Sequence, residues 1–384
     1  MSGEGPPASP QERTDWDTDL PKHFVRWKGW LPACEYRERR VHGQVSDRKR
    51  QVGLKYFTFC ASNAIDVFML AKADLIPASD RSRGFETVYF CERNAAEYEK
   101  TISLVGQNGF LGKFESLVLF EEDNDTRQFG LDDNPPQHIR RKLQDKEQHE
   151  RFVKSFPFDV INLDMNGVFF PPKAGTISPM LEITRRILDW QQARDATDGH
   201  KSREFTLLLT SHVSAADANT DAINQLVQRM SLNRDESEEF RTAYQKRFGE
   251  VEPEELAEEN FPDFFAAALP KVLVRDALDR GWEPEYRGIF LYERVVPSGE
   301  RRYHMMSSVT HFKRARLPEC IDNLVDTAFG QNVESYRDIT TQVLEHEFCY
   351  CDDALQDTDV NVEVKQHLDA VRKYRDDFIA SAES

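Results

Sequence analysis

The sequence predicts an α/β protein built on a mostly parallel sheet that ends in an antiparallel hairpin. Two observations carry this. Between Lys55 and Phe312 a short β-rich apolar run followed by a helical pattern recurs five times, as in a sheet covered by helices on both faces. After the last unit, Gly288 to Arg294 and Arg302 to Phe312 flank a turn segment holding Pro297, Ser298 and Gly299, which is a hairpin signal. Composition agrees with a folded chain of up to two domains: 384 residues, 39% of them hydrophobic, with a mean hydropathy of −0.64. No apolar run nears the roughly 18 residues that a membrane helix needs.

The elements follow in order. Met1 to Asp19 is rich in Gly, Pro, Ser and acidic residues and lacks a basic-then-apolar pattern, so a disordered tail is expected rather than a secretory leader. Lys55 to Cys60 (KYFTFC) reads as the first strand and leads into a helix over Ala64 to Leu75, where Ile65, Phe68 and Met69 share a face. Thr87 to Cys91 (TVYFC) is the second, followed by a helix over Ala95 to Val105. Leu117 to Phe120 (LVLF) reads as the third. A polar loop follows it, and Asn134-Pro135-Pro136, a cap with proline in the first turn, opens a charged helix to about Phe156. Asp159 to Leu163 (DVINL) is the fourth strand, and Ser178-Pro179 then opens a helix whose Met180, Ile183, Ile187 and Trp190 recur at helical spacing. Thr206 to Leu209 (TLLL) is the fifth.

From Ala215 to Trp282 the pattern is helical, with Ile223, Leu226, Val227 and Met230 packing one helix inward. Arg234 to Asp263 holds 11 acidic against 4 basic residues, either a solvated face or a surface for a protein partner. Beyond Leu317 the chain reads as helical to Ser384. The expected organisation is a tail (1–19), a basic extension (20–54), a central domain (55–316) with a helical insertion (215–282), and a helical C-terminal extension (317–384).

A net charge of −17 argues against a chain that coats nucleic acid over its whole surface. Against that background, Arg37 to Lys55 carries seven basic residues beside only Glu38 and Asp47. This patch either meets an RNA or DNA backbone near the strand ends or pairs with the acidic helices. Trp16, Trp27 and Trp30 beside it either stack on bases or anchor a core. Of six cysteines, Cys60 and Cys91 sit inside strand runs and read as reduced core thiols of a cytoplasmic protein. His346, Cys349 and Cys351 lack the paired spacing of a zinc site, so no metal is expected. Without a P-loop, a G-x-S-x-G or an H-E-x-x-H, phosphoryl transfer, α/β-hydrolase and zincin chemistry have no support.

In such a sheet the ligand lies beyond the carboxyl ends of the strands, so the residues just after each run are the candidate site. After the first stands Cys60-Ala61-Ser62-Asn63, small residues without a glycine. Asn63 is the residue there best suited to a left-handed backbone; the alternative is an ordinary turn that Asn63 caps. Glu92 ends the second strand, either accepting both hydroxyls of a ribose or standing in solvent. Glu121-Glu122-Asp123 follows the third. Asn162-Leu163-Asp164-Met165-Asn166-Gly167 follows the fourth, running on into Val168-Phe169-Phe170-Pro171-Pro172. His212 ends the fifth, where a lone histidine is more often structural than catalytic.

Five β/α units, a helical stretch and a terminal hairpin resemble the class I S-adenosylmethionine-dependent methyltransferase fold, a seven-stranded Rossmann relative, over Lys55 to Phe312. An NAD-type Rossmann domain would begin with G-x-G-x-x-G and end all-parallel, and neither feature is present. The resemblance implies S-adenosylmethionine as cofactor, with Ala61, Ser62 and Asn63 at its methionine end, Glu92 on the ribose and Glu122 at the adenine amine. Asp164 and Gly167 match the ends of the Asp-Pro-Phe-Gly motif of the tRNA guanine-N2 dimethyltransferase group, while Met165 and Asn166 replace its Pro and Phe. It implies that Asp164 and Asn166 orient an acceptor amine and that Phe169 or Phe170 stacks on a base. The expected function is methyl transfer to an amine on a nucleic-acid base. The alternatives are a catalytically silent Rossmann-like module that binds a protein or nucleic acid, and a different nucleotide-binding Rossmann enzyme.

Overall fold

The computed structural model describes residues 19–44, 53–59, 63–78, 84–121, 137–172, 178–192, 204–295, 302–314 and 338–383. The first of these form one helical rod: α1 (Leu20–Val25), a π-helical turn (Arg26–Trp30) and α2 (Leu31–Gln44). Gly29 lets this rod lie directly on the sheet, since a Cβ there would stand 2.6 Å from the Phe290 ring. The alternating β/α part then runs β1 (Tyr56–Thr58), α3 (Ile65–Lys72), β2 (Val88–Glu92), α4 (Ala95–Val105), β3 (Gly109–Leu111), α5 (Phe114–Val118), α6 (Gln137–Lys154), β4 (Val160–Val168), α7 (Pro179–Gln192) and β5 (Glu204–His212). Four helices follow, α8 (Thr220–Glu236), α9 (Glu238–Phe248), α10 (Pro253–Glu259) and α11 (Phe261–Leu278). The hairpin is β6 (Trp282–Val295) with β7 (Arg302–Arg314), and the chain continues through α12 (338–345), β8 (Phe348–Tyr350), α13 (Cys351–Ala354) and α14 (Thr358–Glu383).

The strands make one sheet in the order β3-β2-β1-β4-β5-β7-β6-β8. Only β7 runs antiparallel to the rest, lying between β5 and β6. Successive side chains alternate between faces. Phe57, Ile161, Leu163, Phe205, Leu207 and Leu209 point into a core with α5, α6, α7 and α11. Tyr56, Phe90, Val160, Leu208 and Val309 point into a second core with the amino-terminal rod, α3 and α14. No described helix is long and apolar enough to cross a membrane.

The mostly parallel sheet with helices on both faces and the β6–β7 hairpin agree with expectation, whereas three elements do not. Leu117 to Phe120 is not the third strand: Leu117 and Val118 close the helix α5, where the Leu117 N–H bonds Lys113 O at 3.0 Å. A four-residue apolar run carries no period that separates strand from helix. The third strand is Gly109–Leu111, hidden from a propensity reading by its glycine. That glycine is required, because a Cβ there would fall 2.6 Å from the Phe90 ring and 2.7 Å from Tyr98. The helical stretch also ends sooner than expected, as β6 already begins at Trp282 and passes a bulge between Tyr286 and Gly288. Finally, the segment after residue 317 is not helical alone. It adds β8 as an eighth strand beside β6.

Candidate functional site

Because β1, β2, β4, β5 and β6 all run the same way, their carboxyl ends share one edge, and the alternation puts Glu92, Asn162 and Asp164 on the face that the amino-terminal rod and α3 cover. At its centre is a buried network. Asp66, in the first turn of α3, accepts from Tyr56 OH and Thr58 Oγ1, both at 2.7 Å, while Asn162 Nδ2 donates to Tyr56 OH at 2.9 Å. The helix start favours a carboxylate there. Burial, reinforced by Asp66, raises the Tyr56 phenol well above its ordinary range.

Asp164 lies in a buried ion pair. Lys22 of α1 reaches it with Nζ 2.6 Å from Oδ2, the two side chains being 4% and 9% exposed. Its other oxygen, Oδ1, is buried with no hydrogen-bond partner among the described residues. Burial alone would raise the Asp164 carboxyl, but the charges of Lys22, Arg26 and Arg294 outweigh it and hold the group below the usual range. Asp19, which precedes α1, lies against the same cations, yet burial prevails there and pushes it up to about 6. Asp352 joins from α13 and accepts the Glu293 N–H at 2.7 Å.

The other predicted residues divide. Glu92 is buried at the end of β2, and its Oε1 accepts the Asn94 N–H at 2.8 Å. Asn63 neither caps α3 nor takes the left-handed backbone. That conformation falls to Ala64, at φ 44°, and Asn63 Oδ1 instead accepts from Arg375 of α14 at 3.3 Å. Ala61, Ser62 and Glu122 lie outside the described residues, as does the side chain of Asn166, whose backbone is part of β4. With the third strand reassigned, Glu122 follows α5 rather than a strand end.

Phe169 and Phe170 do not offer a stacking ring, since both are buried and Phe170 packs edge-on to Phe265 of α11. His212 meets Tyr303 edge-on at 4.8 Å, and burial lowers its pKa.

The basic segment lies elsewhere. Arg37 bonds Asp159 at 2.9 Å and Arg40 bonds Glu204 at 2.6 Å, two acids at the amino ends of β4 and β5, across the sheet from the candidate site. Neither expectation for these two arginines, phosphate near the strand ends or pairing with the acidic helices, matches that position; Arg48, Lys49 and Arg50 lie outside the described residues. Trp30 is buried, with its indole N–H on Ser307 Oγ at 3.1 Å, and Trp27 stacks on His367. Trp16 lies outside the described residues. Among the described residues no group of three or more His, Cys, Asp or Glu is arranged to hold a metal ion. A cavity of about 580 Å³ opens away from the strand ends, between α9 and α12, where Glu238, Lys246, Arg247 and Glu345 offer mixed charges without a common focus.

The residues that sequence reasoning missed are Lys22, Asp66, Arg294 and Ala64. Asp66 carried a signal, an acid in the first turn of the helix after the first strand. Lys22 carried none, because its partner is 142 residues away in the sequence.

A sequence family described as PP_RS20740-like matches residues 140–273, from α6 through most of α11. No curated protein and no solved structure matches the chain.

Proposed function

We propose that this chain binds S-adenosylmethionine at the carboxyl edge of its sheet and directs methyl transfer to an amine. The observation that carries this reading is the sheet topology, parallel β/α units ending in a hairpin whose β7 alone runs antiparallel, between β5 and β6, which supports the resemblance to the class I methyltransferases while β8 adds an eighth strand. Two local features support a fit. Ala64 holds a left-handed backbone after β1, a conformation costing about 1 kcal/mol in a non-glycine residue, where a loop would have to turn closely around a ligand. Glu92 ends β2 as a buried carboxylate, the group that would accept ribose hydroxyls. When bound, the cofactor supplies an electrophilic methyl group. Catalysis by the chain is then positioning, with the Asp164 carboxylate aligning the acceptor nitrogen beneath the amino-terminal rod.

Calorimetric titration with S-adenosylmethionine and S-adenosylhomocysteine tests the reading. Binding is expected, weakened by about 1–3 kcal/mol in Glu92→Ala through loss of a charged acceptor. Absence of binding to either compound overturns it. A second reading, a silent module of the same fold, is favoured by two internal contacts: Lys22 occupies Asp164 and Arg375 occupies Asn63.

A further inference from the structure

The Lys22–Asp164 pair carries information about what the site receives. Within β4, just before its irregularity between Asp164 and Val168, where the fourth-strand motif is expected to hold an acceptor amine, the structure already has one. It is the ε-amine of Lys22, 2.6 Å from Asp164 Oδ2. Asp164 is surrounded by Lys22, Arg26 and Arg294, and its ionised form depends on them. An incoming group that displaces Lys22 must restore both the charge and the hydrogen bond, because a buried carboxylate stripped of its partner is strongly destabilising. A neutral exocyclic amine on a base supplies only the hydrogen bond. An alkylammonium supplies both.

Two further observations point the same way. The aromatic rings that base recognition requires, Phe169 and Phe170, are committed to the core. Arg37 and Arg40 of the basic segment are paired at the opposite edge of the sheet.

We infer that the acceptor held at Asp164 is the side chain of a lysine on a basic polypeptide, with Lys22 as its internal stand-in. This names the acceptor class for the methyl-transfer reading and rests on it. Binding exchanges one ammonium for another at Asp164. Before transfer the ammonium gives up one proton, through the Asp164 carboxylate at hydrogen-bond distance, to solvent; the lone pair this frees on nitrogen then forms the nitrogen–carbon bond as the sulfur–carbon bond of the sulfonium breaks, with that bond's electron pair staying on sulfur.

The test is anisotropy of a fluorescent lysine-rich peptide at about 0.15 M salt, where long-range attraction to the acidic chain is largely screened. It compares the wild type, Lys22→Met, and Lys22→Met with Asp164→Asn. Lys22→Gln, which keeps a donor toward Asp164, serves as a second variant should Lys22→Met fail to fold. Removal of the Lys22 charge should tighten peptide binding at least tenfold, and Asp164→Asn should abolish that gain. A peptide of acetylated lysines should gain nothing. Equal affinities across the variants, or a gain for RNA or DNA in place of the peptide, overturns the proposal. S-adenosylhomocysteine titrated into the same samples separates the two levels. Cofactor heat without a gain in peptide binding removes the acceptor class alone. No heat in any sample removes the methyl-transfer reading and the acceptor role with it.

Discussion

Single residues in this molecule are defined by charge held out of water. Lys22→Met should destabilise the fold by about 3 kcal/mol, the low end for breaking a buried pair, because Arg26 and Arg294 still face Asp164. Adding Asp164→Asn should recover most of that loss, and denaturant unfolding of the two single variants and the double variant measures the coupling. Equal and additive losses would show that the pair is not coupled. The histidines give a pH dependence. Burial lowers His311 to about 4 and His23 to about 2. Below the ordinary histidine pKa of about 6.5 the unfolded chain binds protons that the folded one refuses, so stability falls as pH drops from about 6.5. At pH 5 each contributes a loss of about 2 kcal/mol. Asp19, raised to about 6, works in the opposite sense: the folded chain holds its proton longer, and stability falls as pH rises from about 4 to 6. The histidine effect is therefore read by substitution. His311→Gln should lose its share of the difference between pH 7 and pH 5 in denaturant unfolding, and an unchanged difference would contradict the assignment.

At the scale of elements, glycines mark where the backbone must come close. Gly29→Ala puts a methyl group against the Phe290 ring and should cost about 1–3 kcal/mol by overpacking, seen as a lower melting temperature. Asn94, whose Oδ1 accepts from the Ala96 and Glu97 N–H groups, caps α4, and Asn94→Ala should cost about 1 kcal/mol in the same assay. Long, patterned elements were legible in the sequence: the apolar spacing of α7 and the long hairpin strands each carry many residues of one period. The three-residue strands β3 and β8 were not, because so short a run has no period and their pairing is dictated by the neighbours β2 and β6. The candidate site was legible as an edge, since the strand ends named Glu92 and Asp164. Its occupants were not, because Lys22 and Arg375 arrive from the two ends of the chain.

The whole molecule is closed by its extremities. His23 of α1 and His367 of α14 share a hydrogen bond at 3.0 Å, Trp27 stacks on His367, and Phe378 stacks on Phe85 at 5.3 Å. A chain ending before Thr358 should therefore expose Phe68 and Phe85 and loosen α1 as well. Hydrogen exchange would register faster amides in α1 and α3 with little change in α6 and α7, and protection unchanged in α1 would refute the coupling. The same closure has a consequence for the protein's birth. The partner of His23 lies 344 residues downstream. At the usual ribosomal pace of about 5–20 residues per second, α1 must wait roughly 17–70 s for it. Through that interval Lys22 and the apolar side of the rod lack part of their eventual cover, so a nascent chain of this protein is a natural client for whatever shields hydrophobic segments at the exit tunnel, until α14 emerges.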